Sequence, residues 1–233
     1  MDKFTIVIPV YNEAKNLEIL IPKIYKELKN RTFELIIVDD NSNDKTVKIL
    51  KKYRKKNFRH IIRKKERDLS KSCILGFRKA KYKNIIVMDG DLQHKPSDIK
   101  KFLNSFYKNN PDIVVGSRDL FKDKAHNLNI LRLFASRLLI LIVRLLLGNK
   151  TSDPMSGFFM FKKEIFIKSQ KKLIKRGYKI LLDLLYIKNQ KIKVVDVKIN
   201  FDSRMKGKSK MSLKVLLKLI SMILEKFFTK TLL

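Results

Sequence analysis

Along the first half of the chain, short apolar runs alternate with stretches whose apolar residues recur every three or four positions. The runs are Phe4–Val10, Glu34–Val38, Arg59–Arg63, Asn84–Met88 and Asp112–Val115, most of them built on Ile and Val. Consecutive rather than alternating apolar positions are what a strand covered on both faces requires. Between them, Glu13–Lys29, Asp44–Tyr53, Leu69–Ala80 and Ser97–Tyr107 carry helical stripes. Asn43-Asp44 and Pro96-Ser97-Asp98 supply the residue types that begin helices. This alternation predicts an α/β protein with a mostly parallel, doubly wound sheet.

After residue 118 the texture changes. His126–Leu147 predicts one long helix, Ser152–Phe161 a turn leading into a strand, Tyr178–Asn189 a helix and Ile192–Phe201 an alternating strand. Arg204–Lys210 reads as a polar, Gly-containing loop. Ser212–Lys230 predicts a closing amphipathic helix bearing Lys214, Lys218, Glu225, Lys226 and Lys230. With no Pro- or Gly-rich linker and no internal repeat, the 233 residues are expected to form one domain.

Composition narrows the partners less than its size suggests. The formal charge of +32 attracts polyanions, whether nucleic acid, anionic lipid or phosphorylated substrates. Lys is used throughout alongside many Ile and Asn, a pattern codon bias also produces, so charge alone chooses none of them. No nucleic-acid reading motif stands out, and nucleic acid is not expected as a partner. Cys73 is the single cysteine, which excludes an intrachain disulfide and suits a reducing cytoplasm. The start, Met-Asp-Lys, runs straight into a strand pattern without a signal-peptide layout. The best apolar stretch, Leu138–Leu147, is broken by Arg144 and falls short of the roughly 20 residues that span a bilayer. A soluble or peripheral protein is expected.

Candidate chemistry gathers where the strands end. The first runs into Tyr11-Asn12-Glu13, the second into Asp39-Asp40-Asn41-Ser42, the fourth into Asp89-Gly90-Asp91 and the fifth into Gly116-Ser117-Arg118. In an open parallel sheet the carboxyl edges form the ligand crevice. Carboxylates one residue apart at the end of a buried strand are costly unless a cation or donor satisfies them. A hard divalent metal completed by a diphosphate answers that need, Gly90 lets backbone approach a ligand, and Gln93 and His94 extend the set. Neither Gly-x-Gly-x-x-Gly nor Gly-x-x-x-x-Gly-Lys-Ser/Thr occurs, which weighs against dinucleotide binding and a P-loop. Zinc lacks paired His and Cys ligands. His60, inside a strand, reads as structural.

Taken together, Ile8-Pro9-Val10-Tyr11-Asn12-Glu13, Val38-Asp39-Asp40-Asn41-Ser42-x-Asp44 and Val87-Met88-Asp89-Gly90-Asp91-Leu92-Gln93-His94 carry a resemblance, continued by Gly116-Ser117-Arg118, Asp153-Pro154-Met155-Ser156-Gly157-Phe158 and Gly207-Lys208-Ser209-Lys210. The chain resembles the family 2 glycosyltransferases of GT-A fold, and among them the branch that transfers mannose or glucose to polyprenyl or dolichyl phosphate. The resemblance implies that Pro9, Tyr11, Glu13, Asp39, Asp68, Asp89 and Gly90 bind the nucleotide-sugar donor, Asp68 being equally suited to capping a helix. It implies that Asp89, Asp91 and Gln93 hold Mg²⁺ or Mn²⁺. Arg118, Arg132, Ser136, Arg204 and Lys210 would receive the acceptor's phosphate, and Asp91, Arg118 and Arg204 would be catalytic. Residues 1–118 would form the donor half, 119–210 the acceptor half and 211–233 a membrane-surface helix. Two departures are Gly90, where this branch commonly has Ala, and the Phe158–Lys163 stretch, where an Arg often follows the Gly-Phe pair.

Arg132 and Ser136, four apart, would share a helix face toward one phosphate. Arginine's fork suits phosphate oxygens. A monoester phosphate is anionic near neutral pH, so its attack needs alignment and electrostatic stabilisation more than a strong base. The implied reaction is inverting transfer of mannose from GDP-mannose to a polyprenyl phosphate. The alternatives are UDP-glucose or another UDP-sugar as donor to the same phosphate, a different family 2 acceptor and, remotely, a basic nucleic-acid-binding protein. The implied setting is the cytoplasmic face of a membrane, held peripherally, with an integral-membrane partner as a further candidate.

Overall fold

The computed structural model describes residues 3–64, 66–118, 130–177, 179–202 and 213–231. Its centre is a seven-stranded sheet of β1 (Phe4–Val10), β2 (Phe33–Asp39), β3 (Phe58–Ile62), β4 (Asn84–Val87), β5 (Ile113–Ser117), β6 (Phe159–Lys162) and β7 (Val194–Lys198). The order across it is β3-β2-β1-β4-β6-β5-β7. β1 pairs in parallel with β2 and β4, β2 with β3, and β5 with β7. β6 runs antiparallel to both of its neighbours, β4 and β5. The other six strands therefore end on one edge, and the turn entering β6 arrives at that same edge.

The continuous apolar runs have the predicted cause. Phe4, Ile6, Ile8 and Val10 of β1 pack into one buried cluster while Val7 packs into the other, and Ile36 and Val38 of β2 oppose Leu35 and Ile37. On one face lie α1 (Ala14–Glu27), α2 (Thr46–Leu50) and α4 (Ile99–Asn109). The other carries α3 (Leu69–Lys79), α5 (Ile130–Leu147), α6 (Lys163–Ser169), α7 (Ile180–Leu185) and α8 (Leu213–Thr231).

Within the described residues the expected elements are present with shifted ends, while positions 126–129 of the expected long helix and the Arg204–Lys210 loop lie outside them. The second helix shrinks from Asp44–Tyr53 to Thr46–Leu50, because Asp44 is spent on the turn, its Oδ1 accepting from Thr46 N at 2.9 Å. The helix expected from Ser97 begins as a 3-10 turn, Pro96–Asp98, and α4 ends where Asn110 turns left-handed at φ 42°. Expected over Tyr178–Asn189, α7 closes at Leu185, where Lys150 Nζ takes the Leu185 carbonyl at 2.8 Å. α6 was not anticipated. Among the described residues no helix is long and apolar enough to cross a membrane.

Candidate active site

The loops leaving β1 and β2 are stitched to each other. Asn12 and Asn41 sit at φ 55° and 61°, a left-handed conformation that asparagine tolerates. Asn12 N donates to Ser42 Oγ at 2.8 Å, and Glu13 N to Thr46 Oγ1 at 2.9 Å. Asp40, nearly fully buried, accepts from Arg63 Nε at 2.7 Å and from Asp68 N at 2.8 Å. Burial pushes the Asp40 carboxyl up, and the Arg63 charge only partly opposes it. These bonds fix one wall of a cavity of about 200 Å³ at the sheet edge.

The acidic turn after β4 forms its floor. Asp89 keeps 36% of its side chain open, while protein encloses its remaining sides. Burial works to raise its carboxyl, but the His94 imidazole, then Lys179 and Arg118, outweigh this and hold it at about 2. His94 Nε2 approaches Asp89 Oδ2 to 3.4 Å, long for a hydrogen bond. The imidazole is buried between the rings of Phe158 and Phe201, at centroid distances of 5.1 and 5.2 Å. It too lines the cavity.

Asp91 and Gln93 are also buried, and Gln93 N donates to Asp91 Oδ1 at 3.2 Å. Between them Leu92 is left-handed at φ 65°, a strain of about 1–2 kcal/mol for a non-glycine residue. Gln93 Nε2 donates to the Asp202 carbonyl at 3.1 Å, which leaves Oε1 as the amide's acceptor end. An ionised, accessible carboxylate beside a second carboxylate and an amide oxygen suits a hard cation. Among the described residues no three His, Cys, Asp or Glu side chains form a metal cage. A cation here would draw further oxygens from its substrate.

Arg118 lines the same cavity. Its Nε and Nη2 reach Asp153 Oδ2 and Oδ1 at 2.6 and 3.0 Å, and its guanidinium lies 5.0 Å from the Phe201 ring centre. Burial disfavours the Arg118 charge, and Asp153 more than restores it. Lys179 also lines the cavity, with Nζ donating to the Met155 carbonyl at 2.6 Å.

Pro9, Tyr11, Glu13, Asp89, Gly90, Asp91, Gln93 and Arg118 therefore meet around one cavity. Two residues expected at the donor do not. Asp39 is wholly buried beneath the edge, where its Oδ2 accepts from Ser42 N at 3.0 Å, and its neighbour Asp40 lines the cavity instead. Asp68 caps α3 by accepting from Lys71 N at 2.9 Å, and its other oxygen holds Gly177 N at 2.8 Å. Asp39 Oδ1, also buried, has no hydrogen-bond partner among the described residues. Gly90 is tighter than expected, since a β-carbon would meet Val10 Cγ1 at 2.8 Å, and Val10 must shift to admit Ala. Arg204 and Lys210 lie outside the described residues, as do the side chains of Arg132 and Ser136. Reading the sequence missed Asp153, Lys179 and Arg67, whose guanidinium covers the Tyr11 ring at 4.5 Å. Only Asp153 lay within a quoted motif.

A sheet of this order, with one reversed strand and an acidic turn after β4, defines the GT-A class of fold. The chain belongs to Glycosyl transferase family 2, whose profile matches residues 5–169. It is 37% identical over 212 residues to the dolichol-phosphate mannosyltransferase of Pyrococcus furiosus, covering 90% of this chain and 59% of that one. The chain thus spans about three fifths of that relative's length. It is 31% identical to the dolichol-phosphate mannosyltransferase of Mycosarcoma maydis, covering 95% of this chain and 78% of that one. The fold matches glucosyl-3-phosphoglycerate synthase from Mycobacterium tuberculosis, solved with Mn²⁺, UDP-glucose and phosphoglyceric acid. There the TM-score is 0.74 at 14% identity, over 98% of this chain and 79% of that one.

Proposed function

We propose that the chain transfers mannose from GDP-mannose to a polyprenyl, dolichyl-type, phosphate with inversion, assisted by Mg²⁺ or Mn²⁺. The observation that carries this reading is the cavity itself, lined by ionised Asp89 and by Arg118 together. The one suits a cation and the other an anion. The names of the relatives at 30–37% identity, all dolichol-phosphate mannosyltransferases, support the sugar and the acceptor class.

In this reading Pro9, Tyr11, Glu13 and Asp40 frame the nucleoside, with Arg67 over Tyr11. Asp89, Asp91 and the Gln93 amide oxygen would hold the cation, which when bound would supply Lewis-acid neutralisation of diphosphate charge. Arg118, joined by Arg132, Ser136, Arg204 and Lys210, receives the incoming monoester. That phosphate is already a nucleophile, so the residues align it and offset the repulsion between two phosphorylated substrates. Attack opposite the leaving group turns an α-linked donor into a β-linked product.

The acceptor's lipid tail places the reaction at a membrane surface, proposed here as the cytoplasmic face. Exposed Leu138, Leu141 and Leu145 on α5, and Leu217, Leu224 and Phe228 on α8, support peripheral contact there. An integral-membrane partner would add to that hold.

The test incubates the protein with a panel of radiolabelled GDP- and UDP-sugars, Mn²⁺ and polyprenyl phosphate, followed by extraction into organic solvent. Label from GDP-mannose is expected in the organic phase, as a β-anomer by proton NMR coupling, with EDTA abolishing it. Extraction only from UDP-glucose would replace the donor, and label remaining in water with every donor would sink the reading.

A further inference from the structure

The turn from Asp153 to Gly157 touches both Arg118 and Asp89. At its start, fully buried Asp153 grips Arg118 at two points, Nε–Oδ2 2.6 Å and Nη2–Oδ1 3.0 Å. At its end, Gly157 lies so close to Asp89 that a β-carbon would stand 2.6 Å from the Asp89 Cγ. Gly157 does not have the positive φ found at Gly148 and Gly177, so glycine is there for space and not for backbone freedom. The turn is braced from several directions. Ser156 Oγ donates to the Gly116 carbonyl at 2.7 Å, Ser152 N to Asp196 Oδ2 at 2.8 Å, and Lys179 Nζ to the Met155 carbonyl at 2.6 Å. A turn so held cannot yield to a side chain at 157; the Asp89 carboxylate must move instead.

We infer that Asp153 and Gly157 are positioning residues that act separately on the two substrates. Asp153 aims Arg118 at the acceptor's phosphate, and Gly157 leaves Asp89 free to face the donor's cation. The inference rests on the proposed roles of Arg118 and Asp89. It adds that one short turn sets the spacing between them. Two points of contact matter for Asp153, because a guanidinium held only at one end swings about that bond, whereas a fork gripped in its plane points one way.

The experiment compares Asp153→Asn and Gly157→Ala in the full chain by two readouts. One is MnCl₂ affinity in the presence of GDP, from the electron-paramagnetic signal of free Mn²⁺. The other is KM for a short-chain polyprenyl phosphate at saturating Mn²⁺. D153N is expected to raise the acceptor KM about tenfold, the size of one lost charge-assisted contact, with Mn²⁺ affinity little changed. G157A is expected to weaken Mn²⁺ about tenfold while the acceptor KM at saturating metal stays near that of the parent. Loss of folding integrity alone would move both readouts in both variants, and that result overturns the inference, as does a D153N chain with unaltered acceptor KM.

Asn at 153 leaves the Arg118 charge buried without its partner, so R118Q and R118Q/D153N are measured alongside. Equal acceptor KM in these two shows that Asp153 works through Arg118; a further rise in the double variant refutes it. A parent protein that neither binds Mn²⁺ nor uses the acceptor would instead overturn the proposed function, and the inference with it.

Discussion

Asp89 is the residue at which the whole site is balanced. Its carboxyl is held at about 2 against the opposing pull of burial, because His94, Lys179 and Arg118 surround it with positive charge or hydrogen-bond capacity. An ordinary aspartate titrates near 4 in the unfolded chain, about two pH units higher. The folded state therefore binds fewer protons at this group in the acid range. Its stabilising contribution is fully present above about pH 4 and is lost as pH falls through about 2. Asp89→Asn is expected to flatten the fall in stability over that interval, measured by circular dichroism during acid titration. A variant whose acid unfolding curve runs parallel to the parent's would show that the charge balance has been misjudged. The sequence made Asp89, Asp91 and Arg118 conspicuous because each ends a buried strand, where a charge demands a reason. It hid Lys179, one of 54 Lys and Arg residues, and the pairing of Asp153 with Arg118, which are 35 positions apart. It did not show that Asp39 and Asp68 also brace turns, since a carboxylate that holds a turn is spelled the same way as one that holds a ligand.

Among the elements, α8 is attached more firmly than its amphipathic pattern suggests. Lys226 is buried and pairs with fully buried Asp183 at 2.6 Å, while Asp183 also accepts from Ile174 N and Lys175 N. Leu219, Met222 and Ile223 share a core with Leu139, Ile140 and Val143 of α5. Periodicity located the helix but placed Lys226 on the solvated side with Lys218; only tertiary packing separates the two. Removing one partner of a buried pair strands the other charge, which costs about 3–5 kcal/mol. Lys226→Ala should lower the urea midpoint by that amount of stability, whereas exposed Lys218→Ala should stay within about 0.5 kcal/mol of the parent. Equal effects would contradict the docking described. The reversal of β6 was equally hidden, because Phe159-Met160-Phe161 is buried whichever way the strand runs. Direction was decided by the turn before it and by the pairings with β4 and β5, not by the apolar residues themselves.

At the scale of the whole molecule, a net charge of +32 and outward apolar stripes on two packed helices act together. Leu138, Leu141 and Leu145 face away from the core that α5 shares with α8, and Leu145 is 85% exposed. Apolar contact supplies local insertion, and charge supplies attraction to anionic headgroups over about a Debye length. Flotation with anionic vesicles is expected at low salt, weakened by about 0.5 M NaCl and by Leu141→Asp/Leu145→Asp. Binding indifferent to both changes would leave these stripes without that role. The Arg118–Asp153 ion pair has a consequence of a different kind. It closes like a buckle between the end of β5 and the turn that leads into β6. With that buckle fastened, residues between its two ends can vary without loosening either strand, provided the α5 core residues Leu139, Ile140 and Val143 and the Ser152 brace are kept.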